Sequence, residues 1–221
     1  MDRLDANGRY ALLKLATGGM RVGISARLAK TAFGQAFGLS VDDVEEVWHA
    51  LRPPYSELFA WGEGKTERPD PADSAFFRPF MLAHPLEDGN VNLDDFVAEW
   101  KWDGIRAQLL TTTAGGGMLW SRGEESIAES FPELLECIPY LPVGICLDGE
   151  ILAWGREGLR SFSQLQKRLG RKNPSSTIQK KEPVCFQAYD LLRMNGEDLR
   201  SISMLERRAR LEILMLHLNH L

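Results

Sequence analysis

The sequence predicts an α+β protein in which a helical N-terminal segment precedes a domain of largely antiparallel strands. Three observations lead to this prediction. Apolar residues recur at helical spacing over residues 9–62. A polar segment rich in proline and glycine follows at 62–73. After residue 76, short runs of β-branched and aromatic residues alternate with turn residues. Helices followed by strands are typical of an α+β arrangement.

The N-terminal segment is predicted to form several helices. Its apolar residues cluster at 12–15 and again at 22–28, with a pair of glycines between them. Ser40 is a candidate N-cap for a helix over 41–51, and the acidic residues that follow it complement the positive end of that helix. Pro53 and Pro54 end the helix. We therefore place the helical domain at 1–62 and a linker at 63–75.

The segment 76–221 is predicted to form the mixed domain. Strands are expected over 96–100, 106–111, 118–121, 144–154 and 184–192. The first two would flank a turn at Asp103 and Gly104. Helices are expected over 124–137, from a cap at Ser161 through 169, and over 205–218.

Composition restricts the class of protein. Hydrophobic residues make up 44% of the chain and charged residues 26%, as in ordinary globular proteins. No apolar run approaches the roughly 20 residues of a membrane span, and the start lacks the layout of a signal peptide. Cys137, Cys146 and Cys185 have no metal-ligand spacing, which predicts reduced core residues in a cytosolic protein.

The charge distribution leaves a nucleic-acid partner open. A net charge of −5 argues against such a partner for the chain as a whole. Between residues 156 and 181, however, eight lysines and arginines accompany a single acid. A polyanion responds to a local patch rather than to the total charge. The alternative is a solvated basic loop.

Lys101 is a candidate nucleophile. A lysine attacks phosphorus only through its neutral amine, which desolvation and nearby positive charge favour. Lys101 lies between two tryptophans and five residues before Arg106. The turn at Asp103 and Gly104 would bring Arg106 back toward it. An exposed hairpin strand is the alternative interpretation of this segment.

The sequence contains four short motifs that follow one another along the chain between residues 101 and 192. Lys101, Asp103, Gly104 and Arg106 resemble motif I of the covalent nucleotidyltransferases, which include DNA ligases, RNA ligases and mRNA capping enzymes. The residues 121–125 resemble motif Ia, 147–152 resemble motif III, and 186–192 resemble motif IIIa. The family resemblance implies a nucleotidyltransferase (adenylation) domain of the DNA ligase/ATP-grasp-like type.

The resemblance also implies roles for individual residues. Lys101 would accept AMP from ATP, and Glu99 would select adenine. Arg106 and Arg122 would bind ribose or phosphate oxygens, and Tyr189 would stack on the base where most relatives have Phe. Glu150 would contact the ribose and help to place Mg²⁺, which prefers oxygen ligands.

Flanking segments resemble those of DNA ligases in particular. Residues 15–25 resemble the end of the helical DNA-binding domain, and 79–83 resemble the entry to the adenylation domain. The resemblance implies nicked double-stranded DNA as partner, in a bacterial cytosol or nucleoid. Four residues of the basic tract are expected to contact DNA phosphates without reading sequence: Lys167, Arg168, Arg171 and Lys172.

The family pattern does not finish within the chain. Nothing after Asp190 resembles motif IV, and neither motif V nor an OB-fold domain follows. We therefore expect a piece of a ligase that is truncated at both ends, with only the C-terminal part of the DNA-binding domain at 1–62. Its missing C-terminal elements would come from further sequence or a partner, and this chain alone should seal nicks poorly. Two alternatives remain: an RNA ligase or capping-type transferase, and a DNA-binding remnant or split subunit without catalysis.

Overall fold

The computed structural model describes residues 4–17, 23–48, 51, 53–69, 77–81, 83, 85–86, 92–112, 114–123 and 125–218. The chain divides into two compact units, 1–44 and 45–221. The expected linker at 63–75 begins directly after a helix, and its residues 70–75 lie outside the described part of the chain. The domain limits therefore stay a prediction.

The predicted helical N-terminal segment is confirmed. Its helices are α1 (Ala6–Ala16), α2 (Ala26–Phe37), α3 (Val41–Trp48) and α4 (Ser56–Gly62). Side chains cap two of them, because Asp5 accepts a hydrogen bond from the Gly8 N–H and Ser25 accepts one from the Leu28 N–H. Helix α3 crosses the division between the two units.

An antiparallel sheet forms the centre of the second unit. Its strands are β1 (Ile105–Thr111), β2 (Gly117–Ser121), β3 (Cys146–Gly155), β4 (Gly158–Leu159), β5 (Val184–Met194) and β6 (Glu197–Asp198). They lie in the order β2-β1-β3-β5-β6, with β4 paired to β3. The α+β class predicted from the sequence is therefore confirmed.

Alternation along the central strands gives the sheet an apolar face and a polar face. Leu109 of β1 and Leu147 and Ile151 of β3 lie in the main hydrophobic core. That core also contains Leu211 and Leu214 of α7 (Met204–Leu218). The intervening residues on β1 and β3 include charged side chains, and they face away from this core.

Two of the predicted elements are absent from the structure, so these predictions were wrong. Residues 96–100 form no strand, because β1 already pairs with β2 on one edge and β3 on the other. The helix expected over 124–137 is replaced by 3₁₀ segments at Ala128–Ser130 and Pro132–Tyr140. Pro132 lacks the N–H that an α-helix begun at 124 would need there.

The remaining helices are shorter than α7. They are α5 (Phe162–Gln166) and α6 (Ser176–Lys181). Ser161 occupies the N-cap position of α5 as predicted, but its hydroxyl hydrogen-bonds to Ser163 instead of capping the helix. In the part of the chain that the structure describes, no helix is both long and apolar enough to cross a bilayer.

The cysteines follow the core prediction only in part. Cys146 is buried and Cys185 is half-buried. Cys137 is exposed, so its predicted place in the core was wrong. It lies on the outer side of a 3₁₀ segment whose Ile138 packs into the core instead.

Candidate active site

An arginine–aspartate pair lies on the polar face of the sheet. Arg106 Nη2 donates to Asp148 Oδ2 at 2.8 Å, and Nε donates to Oδ1 at 3.2 Å. Burial raises the pKa of Asp148, although the hydrogen bonds and positive charge of Arg106 oppose that shift. Burial lowers the pKa of Arg106. The hydrogen bonds and negative charge of Asp148 outweigh burial, and the pKa of Arg106 is raised overall.

The Arg106 guanidinium is therefore held mainly by the protein. Nη2 also donates to the Met81 carbonyl at 2.8 Å. The sequence predicted that Arg106 binds ribose or phosphate oxygens. Among the described residues, Nη1 of Arg106 has no protein acceptor, so this nitrogen is the one left to donate to a ligand.

Aromatic rings lie beside this arginine. The guanidinium carbon of Arg106 is 5.1 Å from the centre of the Phe80 ring and 5.8 Å from that of Tyr189. Tyr189 lies at a β-bulge in β5, because Asp190 pairs with Asp148 while Ala188 pairs with Gly149. Burial, followed by the charge of Asp148, raises the pKa of the Tyr189 hydroxyl.

The predicted nucleophile lies in the irregular segment before β1. Gly104 in this segment packs so closely against β3 that an added Cβ would lie 2.3 Å from the Ile151 carbonyl oxygen. Its N–H hydrogen-bonds to Glu150, and Lys101 lies within electrostatic range of the same carboxylate. Burial raises the pKa of Glu150 despite these partners. Gly104 therefore holds the lysine segment against the strand that supplies Glu150.

Lys101 itself is exposed, and Trp100 before it is 83% exposed. The sequence predicted a desolvated amine between two tryptophans close to Arg106. That burial is absent in the described structure because the segment forms no strand and packs against the sheet mainly through Gly104. The charged neighbour on Lys101 is instead the carboxylate of Glu150.

Glu99 lies at the other side of the candidate site. It forms an ion pair with Arg208 of α7 and is close enough to Tyr189 to affect its ionisation. The sequence assigned no role to Arg208 or to Asp148, although Asp148 lies within the motif III segment 147–152. The local signal was an acidic residue two positions before Glu150 and an arginine pair near the start of α7, but neither pattern identifies its partner.

Arg122 lies in the turn that follows β2. Its N–H donates to the Arg106 carbonyl at 3.1 Å, so the turn brings Arg122 next to Arg106 of β1. The Arg122 side chain is exposed. The structure thus places it at the margin of the site rather than among the buried charges.

The basic tract contains one clear departure from the prediction. Arg168 was expected to contact DNA phosphates, but its side chain is fully buried. Its guanidinium pairs with Glu133 at 2.7 Å and donates to the carbonyls of Ser130 and Glu182 at 2.8 and 2.9 Å. Arg168 is therefore a structural residue, because no nitrogen of this buried group is presented to solvent for a phosphate.

The other three basic residues stay on the surface. Lys167 approaches Glu182 at 3.4 Å, and Lys172 approaches Glu129 at 3.3 Å. Both lysines are exposed although Glu182 is half-buried, so solvent screens these long pairs and leaves the lysines able to exchange partners. Arg171 is exposed as well.

Few side chains near the candidate site could bind a metal ion in the described structure. Within the described ranges, no three His, Cys, Asp or Glu side chains form a group that would enclose a metal ion. Glu150 offers a half-buried carboxylate within electrostatic range of Lys101. One carboxylate suits Mg²⁺, which commonly takes one or two protein carboxylates together with water and substrate phosphates.

Comparisons with known proteins agree on one family. A family model described as "ATP dependent DNA ligase domain" matches residues 80–220. A probable DNA ligase of Koribacter versatilis is 34% identical over 206 residues, which are 91% of this chain and 35% of that protein. A probable DNA ligase of Opitutus terrae is 31% identical over 247 residues, covering 94% of this chain and 24% of that protein. The chain thus spans about a third or less of the length of these relatives.

This chain is also similar to solved structures of ligase domains. The ligase domain from M. tuberculosis LigD has a TM-score of 0.43 and 29% identity, covering 53% of this chain and 36% of that one. The mycobacterial DNA ligase D complexed with ATP and MES has a TM-score of 0.42 and 30% identity, covering 54% and 36%.

Proposed function

This chain belongs to the ATP-dependent DNA ligase family, and from that premise we propose that it forms the nucleotide-binding part of an enzyme that seals nicks in DNA. The supporting observation is the cluster on the polar face of the sheet. An irregular segment bearing Lys101 packs through Gly104 onto the strand of Glu150. The Arg106–Asp148 pair and the ring of Tyr189 lie beside it. The family match covers all of these residues.

The proposed first step joins AMP to Lys101. The neutral Nζ attacks the α-phosphorus of ATP and forms a P–N bond. The P–O bond to the β-phosphate breaks and pyrophosphate leaves with the bonding electrons. The nitrogen, now bonded to phosphorus, loses one proton to water and becomes a neutral phosphoramidate N–H. The exposure of Lys101 allows a nucleotide to reach it from solvent. In later steps AMP would pass to the 5′-phosphate of a nick, and the 3′-hydroxyl would displace it to form a phosphodiester.

We assign the base and sugar contacts by their chemistry. The Tyr189 ring offers a stacking surface for adenine, and the Glu99 carboxylate can accept only, which suits the amino group of adenine. Arg106 would donate through Nη1 to a ribose or phosphate oxygen. Arg122, at the exposed margin, would meet the phosphates.

The half-buried carboxylate of Glu150 lies within electrostatic range of Lys101. We propose that it hydrogen-bonds a ribose hydroxyl and supplies one oxygen to Mg²⁺. When bound, this cation would neutralise charge on the phosphates during transfer. Because burial raises the pKa of Glu150, the nearby positive charge of Lys101 or Mg²⁺ would favour its ionised form.

The DNA surface is assigned to the exposed basic residues alone. Lys167, Arg171 and Lys172 would contact backbone phosphates, which position a duplex without reading its sequence. Such contacts suit an enzyme that must accept any nick. The substrate would place the protein in a bacterial cytosol or nucleoid, with remaining elements supplied by further sequence or by a partner.

Labelling with ATP that carries a radioactive α-phosphate tests the proposal. We expect label that survives denaturation on the wild-type chain and none on Lys101→Ala. Lys65→Ala is the matched control, because Lys65 is also exposed and pairs only with Glu63 in the described structure. Transfer of the label to nicked DNA but not to nicked RNA would support a DNA ligase. Label on a residue other than Lys101, or a preference for nicked RNA, would contradict the proposal.

A further inference from the structure

Helix α7 presents two consecutive arginines to acidic residues of the candidate site. Arg207 is buried and donates to both oxygens of Asp190, at 2.8 Å from Nε and 3.0 Å from Nη2. Asp190 is the partner of Asp148 in the β3–β5 register. The next residue, Arg208, pairs with Glu99. Helix α7 therefore contacts the candidate site through two side chains.

Among the described residues, the Glu99 side chain has one hydrogen-bonding partner, Arg208. It lies in the segment 96–104, which forms neither a strand nor an α-helix. Among the described residues, Arg208 is the group that hydrogen-bonds the Glu99 side chain, through Nη2 to Oε1. Helix α7, in contrast, is fixed by Leu211 and Leu214 in the main core and by the buried Arg207 pair. The position of the Glu99 carboxylate thus depends on a rigid helix.

We propose that Arg208 is a positioning residue that holds Glu99 for recognition of the amino group of adenine, and that it thereby determines which base the enzyme accepts. The proposal rests on the proposed function and goes beyond it. Arg208 engages one carboxylate oxygen of Glu99, and within the described structure Oε2 accepts no protein hydrogen bond. That oxygen can accept from the C6 amino group of adenine. It would face the C6 carbonyl of guanine with two acceptors opposed.

The chemistry of the pair explains why an arginine is suited to this position. A guanidinium presents several N–H donors in a rigid planar fork, so it can hold a carboxylate oxygen in a fixed direction. An Oε2 held in a fixed position discriminates between a donor and an acceptor at C6 of the base. The proximity of Glu99 to Tyr189 agrees with this assignment, because Tyr189 is the proposed stacking surface for the same base.

A purely structural role for Arg208 is the competing explanation. In that case its loss would weaken binding of every nucleotide equally. The inferred role predicts a loss confined to nucleotides with a C6 amino group. Purine riboside triphosphate separates the two, because it matches ATP but lacks that group.

The test measures equilibrium binding of ATP, GTP and purine riboside triphosphate by quenching of tryptophan fluorescence, together with ATP labelling of Lys101. We expect the wild type to prefer ATP over purine riboside triphosphate by about tenfold, which is what one hydrogen bond to a charged acceptor supplies. Arg208→Ala should reduce this preference to within about twofold, and Arg208→Lys should give an intermediate value.

Two further variants complete the design. Arg210→Ala is the matched control, since Arg210 lies on the same helix and pairs with Glu197 and Glu206; it should retain the wild-type preference. Glu99→Gln should also lose the preference for ATP. Adding Arg208→Ala to it should cause no further loss, because both residues act on one contact.

The outcomes separate the inference from the proposed function. Equal weakening of all three nucleotides by Arg208→Ala, or no change in any of them, would overturn the inference. ATP binding without labelling of Lys101 would refute the proposed function while the binding preference still decides the role of Arg208. A wild-type chain that binds none of the three nucleotides would refute both.

Discussion

Replacing Gly104 with alanine is expected to displace the segment that bears Lys101. The added Cβ would lie 2.3 Å from the Ile151 carbonyl oxygen and 2.8 Å from both Glu150 Cγ and Leu152 Cδ2. Carbon and carbonyl oxygen approach one another to about 3.3 Å in ordinary contacts. The glycine segment and β3 must therefore separate by about 1 Å. The first obstacle is backbone, so rotation of a side chain cannot relieve it.

That displacement sets the expected size of the effect. A misplacement of about 1 Å between reacting groups lowers rates on the order of 10²-fold. Crowding of a well-packed position costs about 1–3 kcal/mol of unfolding free energy. The Gly104 N–H would also shift away from Glu150. We therefore expect Gly104→Ala to lose most of its rate of lysine–AMP formation while it remains folded.

The assay compares the rate of labelling at saturating ATP with the urea midpoint of unfolding. Gly116→Ala is the matched control, because Gly116 is exposed and its added Cβ would meet only the Thr112 side chain, at 3.3 Å from the hydroxyl oxygen. Its rate should be unchanged and its stability should stay within about 0.5 kcal/mol of the wild type. A Gly104→Ala protein with wild-type rate and stability would refute the reasoning.

Three other predictions concern the basic tract and the core. Arg168→Ala should cost about 3–5 kcal/mol of unfolding free energy in urea, because it removes a fully buried partner of Glu133. A stable Arg168→Ala protein would contradict the structural role. Lys172→Ala should leave stability unchanged and weaken binding to nicked DNA. It should also reduce the slope of log binding constant against log salt concentration by about one. For Cys146, burial raises the pKa of the thiol from 9.0 to about 12. Below pH 9 the thiol is protonated in both states, whereas between pH 9 and about 12 only the unfolded chain releases the proton. Stability should therefore fall by roughly 1.4 kcal/mol per pH unit in that window, and Cys146→Ala should show a shallower decline over the same range of pH.

The elements of the fold were predictable where local signals were strong. The helical N-terminal segment, the strand after Gly104 and the long C-terminal helix follow from periodicity and turn residues. The strand expected at 96–100 was not, since pairing depends on which edges are free, and both edges of β1 are occupied. Periodicity in one segment contains no information about the neighbours of another.

The sequence by itself determined the family and the candidate residues of the site, because the order and spacing of short motifs are properties of the chain. Tertiary structure decided which of these residues meet. Asp148 holds Arg106 across two strands, and a β-bulge places Tyr189 beside that pair. It also decided which charges are available to ligands. Arg168 and Lys172 are both basic residues of one tract, yet burial makes the first a structural partner and leaves the second at the surface. Solvation and pairing depend on residues distant in sequence, which no local pattern records.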